Sequence, residues 1–158
     1  PRSHRRSVRA IARAGRTGGC SLYKSRMERI VYISTARCPP DDALVDQILR
    51  ISRHNNERDG LTGLLLVGGR RFLQVIEGDR ERIAAAYSRI RADQRHFALV
   101  ELSRKPIAER AFARWDMGCE ILDGDHVAER VHQLTEGVGD PDLVAQLRSF
   151  VDHHRQAA

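Results

Sequence analysis

Two apolar segments separated by a pair of glycines lie near the middle of the chain. Leu61–Val67 is apolar on both faces of an extended strand, and Arg71–Glu77 returns after Gly68-Gly69. A glycine pair between two such runs is typical of a two-residue hairpin turn. A strand that is apolar on both faces needs cover on both sides of its sheet. We therefore predict a central hairpin with a layer packed against each face.

Strand and helix patterns surround this hairpin in a regular order. Arg29–Thr35 predicts a strand, and Pro39-Pro40-Asp41-Asp42 ends it and caps a helix that runs to Asp59-Gly60. The elements that follow the hairpin are a helix capped by Asp79, with Ile83, Tyr87 and Ile90 on one face, and strands at Phe97–Ser103 and Trp115–Ile121. This order predicts an α+β fold, a ferredoxin-like βαββαβ unit with an extra fifth strand. Its first and third strands are expected to be antiparallel neighbours at the sheet centre, and the position of the fifth strand stays open.

Two amphipathic helices are predicted at the end of the chain, Asp125–Glu136 and Pro141–Arg155. Asp140 before Pro141 is a favourable pair for starting a helix, because proline suits the first helical position. We expect residues 123–158 to form a two-helix cap. The second face of the sheet is then covered by this cap, by a neighbouring subunit, or by both.

The positive charge of the chain is concentrated at its beginning. The formal net charge is +6, but residues 1–29 hold nine basic side chains and one acidic one, and the rest holds 18 basic and 20 acidic. Residues 1–26 are rich in Arg, Ser and Gly without periodicity, so we predict a disordered basic extension. It is either an extension ahead of a start at Met27 or a basic arm that touches nucleic acid or a membrane.

The cysteines and hydropathy favour a cytoplasmic protein. Cys20, Cys38 and Cys119 are far apart and form no disulfide or zinc pattern. No segment approaches the roughly 20 apolar residues of a membrane span, and no secretory signal is expected.

Several polar side chains fall where the predicted core lies. Tyr32 shares one face of its strand with Ile30, and Gln74 becomes its neighbour if the first and third strands pair. Asn55 and Asn56 continue the apolar stripes of the first helix. Taken singly, each residue has an ordinary structural explanation. Tyr32 is then a core tyrosine, Gln74 lies at a sheet edge, and Asn55 and Asn56 end a helix. Together they indicate a cleft in which amides read the edge of a heterocycle.

Two further pairs are open to more than one interpretation. Arg89 and Asp93 lie four apart on the second helix, where an exposed ion pair is the plain alternative to a ligand contact. Trp115 and Met117 alternate on the fifth predicted strand and are expected to share a face, where core packing is the plain alternative. No nucleophile and base and no glycine-rich phosphate loop stand out, so we predict no enzyme.

The ordered set of motifs resembles the BLUF family, sensors of blue light using FAD, and specifically its short stand-alone members. The resemblance covers residues 27–122. The matching motifs are Tyr32-x-Ser34, Ser52-Arg53-His54-Asn55-Asn56, Gly60-Leu61-Thr62-Gly63, Phe72-Leu73-Gln74-Val75-Ile76-Glu77-Gly78, Asp93-Gln94-Arg95-His96, Arg110-Ala111-Phe112 and Trp115-Asp116-Met117.

The resemblance implies FAD as the cofactor and a role for each matched residue. Tyr32 donates an electron and a proton to the photoexcited flavin, and Gln74 bridges Tyr32 to the ring. The residues implied in holding the cofactor are Asn55 and Asn56 at the pyrimidine end, Arg89 and Asp93 at the far carbonyl, Arg95 and His96 towards the ribityl or phosphate side, and Ser34 near the tyrosine. Trp115 and Met117 belong to the strand that reports the state of the flavin. In the sequence itself, that strand is followed by Asp123-Gly124 and then by the two C-terminal helices.

A sensor without an effector domain is expected to act through other molecules. We expect a homo-oligomer, a downstream effector protein, or both, with no membrane and no nucleic acid as partner. One rival is a ferredoxin-like RNA-binding or protein-interaction module without cofactor, although aromatic residues are only 5% of the chain. A second rival is a flavin-dependent redox enzyme, which requires a catalytic base that the sequence does not offer.

Overall fold

The computed structural model describes residues 26–124 and 126–155. The elements are β1 (Met27–Ala36), α1 (Asp42–Asp59), β2 (Thr62–Gly68), β3 (Arg71–Asp79), α2 (Arg80–Ala92), β4 (His96–Pro106), β5 (Gly118–Ile121), α3 (Val127–Thr135) and α4 (Pro141–Arg155). The predicted disordered extension lies outside the described residues apart from Arg26. Within the described ranges no helix is long and apolar enough to cross a membrane.

The five strands form one sheet in the order β4-β1-β3-β2-β5. β1 and β3 pair antiparallel, with Tyr32 directly opposite Gln74. β5 pairs with β2 in parallel at the edge of the sheet, which settles the position that the sequence left open. The predicted ferredoxin-like α+β fold with a fifth strand and two C-terminal helices is confirmed.

The ends of α1 follow from its capping residues. The side chain of Asp41 accepts a hydrogen bond of 2.8 Å from the amide of Leu44, which satisfies an N–H at the start of the helix. Gly60 takes a left-handed φ of 64° just after the last turn and donates to the carbonyl of Asn56. The predicted helix between these signals is therefore present.

The hairpin turn lies one residue later than predicted. Gly68 still pairs with Arg71, so the two loop residues are Gly69 and Arg70 rather than Gly68-Gly69. Gly69 supplies the positive φ of 55° that the first loop position requires. Gly68 instead allows α4 to pack closely against β2, since a Cβ at Gly68 would lie 2.8 Å from the Cβ of His154 on α4.

The prediction that Trp115 and Met117 share a face of the fifth strand is wrong. β5 begins only at Gly118, so both residues precede it. Before it, the carbonyls of Asp116 and Met117 accept from side chains of α1, and these bonds take the place of strand pairing. Met117 packs with Val45 and Leu49 under α1, whereas Trp115 packs on the opposite side of the sheet.

Two helical layers cover the sheet. The residues that pack between α2 and the sheet include Ile30, Tyr32, Ile76 and Ile83. The opposite face, with Val31 and Val75, packs against apolar side chains of α3 and α4 such as Val131 and Leu147. Each strand of the central pair thus buries one face under α1 and α2 and the other under α3 and α4. Tyr32, Ser34 and Gln74 lie on the face under α1 and α2.

Candidate functional site

Two adjoining cavities lie between α1, α2 and the sheet. The larger has a volume of about 430 Å³, which falls within the roughly 300–1,000 Å³ of small-molecule sites. Among the residues expected from the sequence, it is lined by Asn55, Asn56, Gln74, Arg89, Asp93 and Arg95. The smaller, of about 60 Å³, is lined by Tyr32, Ser34 and His96 and again by Gln74, Asp93 and Arg95. The structure therefore brings all nine expected cofactor-contacting residues to one cleft, while their roles stay predictions.

A chain of polar contacts runs across the floor of this cleft. The hydroxyl of Tyr32 donates to Oε1 of Gln74 across the β1–β3 ladder. Nε2 of Gln74 donates in turn to Sδ of Met117, at 3.5 Å. All three side chains are buried. The amide of Gln74 is therefore the only link between the tyrosine and the methionine in this chain of contacts.

Tyr32 is held in its neutral form. Burial raises the pKa of its hydroxyl well above the ordinary value, and the nearby Tyr87 and the charge of Asp93 raise it further. The ring of Tyr87 lies beside that of Tyr32, with 5.4 Å between centroids and 57° between planes. The hydroxyl proton thus stays on Tyr32 across the physiological pH range, aimed at Gln74.

The two asparagines are presented differently by the last turns of α1. Nδ2 of Asn56 donates at 2.5 Å to the carbonyl of Asp116, which ties α1 to the segment before β5 and orients the side chain. Asn55 lines the larger cavity, and its amide makes no hydrogen bond to the described residues. One amide is therefore oriented by the protein, and the other offers its donors and acceptor to a ligand.

The charged residues at the mouth of the cleft do not pair as an i,i+4 couple. Arg89 donates from Nη2 to Asp59 at the end of α1, at 2.6 Å. Asp93 is the C-cap of α2 with a non-helical ψ of 119°, so its side chain leaves the helical face and pairs with Arg95. The hydrogen bond from Arg95, opposed by burial, holds the pKa of Asp93 below its ordinary value. The Arg89–Asp93 ion pair, the plain alternative to a ligand contact, is absent, and both side chains line the cavity.

Two buried polar atoms of the cleft lack protein partners. Oγ of Ser34 and Nδ1 of His96 make no hydrogen bond to any described residue, and Ser34 is 1% exposed. An unpaired buried polar group is costly, and its presence beside a cavity indicates a ligand that completes it. Together with the free amide of Asn55, these atoms fit a planar molecule with polar edges such as a flavin.

Two lining residues of the cleft and one residue beside it were not predicted as site residues from the sequence. Ser52 and Ile90 line both cavities, and Arg53 donates from Nε to the carbonyl of Met117 at 3.0 Å. Ser52 precedes Asn56 by four residues and so lies on the same face of α1, which is a signal that periodicity offers. The contact of Arg53 has no comparable signal, because it depends on the path of the chain before β5.

Trp115 does not line the cleft. Its ring stacks on Phe112 with 5.8 Å between centroids, beneath the C-terminal helices. Its expected part in reporting the state of a cofactor stays a prediction. Of the pair Trp115 and Met117, only Met117 contacts Gln74.

Comparisons with known proteins show which proteins this chain is similar to. Over 94 residues, 59% of the chain, it is 33% identical to photoactivated adenylate cyclase subunit beta of Euglena longa, and it spans only 11% of that protein. BlrB, a BLUF protein solved in its dark state, is 29% identical with a TM-score of 0.65, over 83% of this chain and 99% of BlrB. Klebsiella pneumoniae BlrP1, solved with FMN and cyclic diGMP, is 28% identical with a TM-score of 0.71, over 80% of this chain and 34% of BlrP1.

A family match covers more than half of the chain. Residues 27–118 match BLUF, described as sensors of blue light using FAD. The prediction of a sensor rather than an enzyme is thereby confirmed for the matched residues, as is flavin as the class of cofactor. The chain belongs to the BLUF family of blue-light sensors.

Proposed function

We propose that this chain is a blue-light photoreceptor that binds FAD in the cleft between α1, α2 and the sheet. The observation that carries the proposal is the buried hydrogen bond from Tyr32 to Gln74, whose other amide group contacts Met117. A bound flavin supplies blue-light absorption and an excited state that is a strong oxidant. Tyr32 is then the donor of an electron and of its hydroxyl proton.

Each polar group of the cleft has a part in binding. Asn55 and Asn56 hold the pyrimidine end of the ring through their amides, and Ser34 lies beside Tyr32 with a hydroxyl that lacks a protein partner. Arg89 and Asp93 hold the far carbonyl and neighbouring polar groups. Arg95 and His96 lie towards the ribityl or phosphate side, where a guanidinium is suited to an anionic group. FAD rather than another flavin is part of the proposal.

Gln74 converts proton movement into a structural difference. Its amide presents an acceptor on one side and two donors on the other, so rotation or tautomerisation exchanges what Tyr32 and Met117 face. In the present arrangement Oε1 accepts from Tyr32 and Nε2 donates to Met117. After the exchange, Tyr32 meets a donor and the methionine loses its contact. The altered hydrogen bonding at the ring shifts the absorption to the red.

The signal leaves through contact with a second copy of the chain or with an effector protein. The edge strand β4 exposes large apolar side chains, with Val100 51% and Leu102 40% exposed. Apolar patches of this kind are typical of interaction surfaces. The free and exposed thiol of Cys38 suits the reducing cytoplasm, which is the compartment we propose.

A pair of tyrosine variants tests the proposal. The native protein is expected to purify yellow, to release FAD on denaturation and to show a reversible red shift under blue light. Tyr32→Phe should keep the flavin and lose the shift, since only the hydroxyl is removed. Tyr87→Phe is the matched control, because Tyr87 contacts the ring of Tyr32 but makes no hydrogen bond to Gln74.

The outcomes are read by absorption spectroscopy in the dark and after illumination. A colourless protein after expression with added riboflavin rules out the cofactor and favours the interaction module without one. A normal red shift in Tyr32→Phe removes Tyr32 from its role.

A further inference from the structure

A buried carboxylate lies on the face of the sheet that points away from the cleft. Glu77 on β3 is 0% exposed. An ionised carboxylate in such a place is strongly destabilising unless donors surround it. Three donors do so: Nε of Arg29 at 2.6 Å, the amide of Ala111 at 3.0 Å and the amide of Phe112 at 2.9 Å.

Arg29 connects this carboxylate to the start of α4. It lies on β1 directly opposite Glu77 and is 4% exposed. Its Nη1 lies 2.5 Å from Oδ2 of Asp140, which also pairs with Lys105 at 2.7 Å. Oδ1 of Asp140 caps α4 by accepting from the amide of Leu143 at 3.3 Å. One guanidinium therefore bridges the carboxylate inside the sheet and the carboxylate at the N-terminus of the helix.

The other partners of Glu77 lead back to the cleft. Ala111 and Phe112 lie in the stretch between β4 and β5, and we call the part from Ala111 to Met117 the 111–117 segment. Its first two amides are held by Glu77, and at its end Sδ of Met117 accepts from Gln74. The segment is therefore fixed at one end to the buried carboxylate and in contact at the other with the amide that is expected to move.

We propose that Glu77 and Arg29 form a clamp through which the 111–117 segment positions the N-terminus of α4, so that a change in the Gln74–Met117 contact alters how α4 is seated. The inference rests on the proposed function, to which it adds the path of the signal. The path passes from the cleft side of the sheet to the other side along the 111–117 segment, continues there through the ion pair of Glu77 and Arg29, and bypasses β5 and the link to α3. Ion pairs and backbone hydrogen bonds are directional, so a small shift of the segment is passed to Asp140 as a change in geometry.

Two variants break the clamp on opposite sides of Arg29. Glu77→Gln keeps the shape but replaces one carboxylate oxygen by an NH₂ group, which cannot accept from any of the three donors. Since Oε1 of Glu77 accepts from Ala111 and Oε2 accepts from Phe112, the variant loses the acceptor for one of these two amides, which weakens the hold on the 111–117 segment and leaves Asp140 in place to pair with Arg29. Asp140→Asn weakens the link to α4 and leaves all three bonds of Glu77 in place. Asparagine is a good N-cap, so this variant is expected to fold.

Two further variants are matched controls for the loss of a charge. Glu28→Gln removes a carboxylate that is 7% exposed and paired with Arg104 at 2.9 Å but does not contact the 111–117 segment. Asp142→Asn removes an exposed carboxylate from the first turn of α4, two residues after Asp140. The ion pair between Asp142 and Lys105 is 3.7 Å long. The ion pairs of these two carboxylates are with Arg80 and Arg104 for Glu28 and with Lys105 for Asp142, and not with Arg29.

Hydrogen exchange in the dark and under blue light is the measurement. In the dark, Glu77→Gln should speed exchange about tenfold at one of the two amides of Ala111 and Phe112, the one that loses its charge-assisted hydrogen bond. Under light the native protein should change exchange across residues 141–155 of α4. Both clamp variants should retain the red shift and lose at least half of the light-induced change in exchange across α4. Both controls should retain the red shift and the full change in exchange.

The outcomes separate this inference from the proposed function. A clamp variant that keeps both the red shift and the full native response of α4 overturns the clamp. So does a native protein whose red shift is normal but whose α4 does not respond. If Glu77→Gln does not fold, Asp140→Asn tests the clamp alone, by whether it keeps the red shift and loses the response of α4. A native protein without a red shift contradicts the proposed function instead. Dark exchange in Glu77→Gln that is unchanged at both Ala111 and Phe112 contradicts the clamp even then.

Discussion

Ser34 and His96 hold polar atoms in the core that no described residue satisfies. Oγ of Ser34 is buried beside Tyr32 at the edge of the smaller cavity, and Nδ1 of His96 is buried at the same cavity. In a protein without a ligand such atoms cost stability. Their cost is offset when a bound molecule supplies the missing partner, and this makes Ser34 a sensitive probe of the site.

Replacing Ser34 by alanine is expected to affect the two forms of the protein in opposite ways. Ser34→Ala should lower the affinity for FAD about 2–10-fold, as expected for one neutral hydrogen bond. The free energy of unfolding of the cofactor-free protein should stay unchanged or rise, since an unpaired hydroxyl is removed. Flavin titration and denaturant unfolding measure the two effects.

A second serine provides the control for Ser34. Oγ of Ser103 donates to Gln146 at 3.2 Å on the other side of the sheet. Ser103→Ala should therefore lower stability slightly and leave the affinity for FAD unchanged. Equal losses of stability in both cofactor-free variants would show that Ser34 has a protein partner in solution.

The side chains of the cleft were predictable from the sequence to different degrees. Tyr32 and Gln74 face each other because strand periodicity and the ferredoxin-like order both specify their face and pairing. The partner of Arg89 was not predictable, because it is Asp59 at the end of the other helix. The four-residue spacing to Asp93 was misleading, since α2 ends before Asp93 and the cap conformation turns that side chain away.

At the scale of the elements, Asp59 joins the two helices that enclose the cleft. It accepts from Arg58 on its own helix and from Arg89 on α2, at 2.6 Å for the latter. The hydrogen bond from Arg58 is the largest cause that lowers the pKa of Asp59, to about 2 from 3.8. Both arginines are about half exposed, so water screens these pairs and their contribution is modest.

Asp59→Asn is expected to lower stability in a pH-dependent way. The folded pKa lies below the unfolded one, so the stabilisation is complete above about pH 4 and is lost as the pH falls towards about 2. Relative to the native protein, the variant should be less stable by up to about 1 kcal/mol at pH 7. The two free energies should converge near pH 2.

Denaturant unfolding at several pH values measures this dependence. Asp152→Asn, at an exposed position on α4, is the control and should show little difference from the native protein at any pH. A constant deficit for Asp59→Asn between pH 7 and about pH 2 would contradict the pairing of Asp59 with Arg58 and Arg89.

The first residue of β5 was not predictable from the sequence pattern. Alternation from Trp115 to Ile121 predicts a longer strand, but the carbonyls before Gly118 bond to Arg53 and Asn56 of α1. These contacts join residues about 60 positions apart, and no local pattern reports them. The existence and type of each element were predictable, whereas the last residues before β5 depend on tertiary contacts.

Gly118 sets the position of Trp115 at this point. A Cβ at Gly118 would lie 2.9 Å from Cε3 of the indole and 3.3 Å from Cδ1 of Leu64. Gly118→Ala is therefore expected to displace the indole, to lower the melting temperature by several degrees and to change tryptophan fluorescence. Gly139→Ala is the control, because a Cβ there meets nothing within 4 Å. Native fluorescence in Gly118→Ala would show that β5 relaxes without moving the indole.

At the scale of the whole molecule, the two sides of the sheet have different roles. The side under α1 and α2 holds the cleft, and the side under α3 and α4 holds an apolar core together with the buried pair of Arg29 and Glu77. The C-terminal helices leave part of that second side open. A groove of about 820 Å³ runs between α4 and β4 over Ile33, Leu73 and Leu102. Any change in the position of α4 against the sheet alters the wall of this groove.

The groove and β4 lead to the prediction on assembly. Val100 lies opposite Ile33 in the β1–β4 ladder, so it points to the same side as the groove, and it is 51% exposed. An edge strand with exposed apolar side chains favours association. If copies of the chain meet there, Val100→Glu should shift the molecular mass in light scattering towards that of the monomer without loss of stability, because burying an unpaired charge is strongly unfavourable. Ile121→Glu is the control on the opposite edge strand, where Ile121 is 36% exposed, and should keep the native mass. A native protein that is monomeric at all concentrations in dark and light would contradict self-association and leave an effector protein as the partner of this surface.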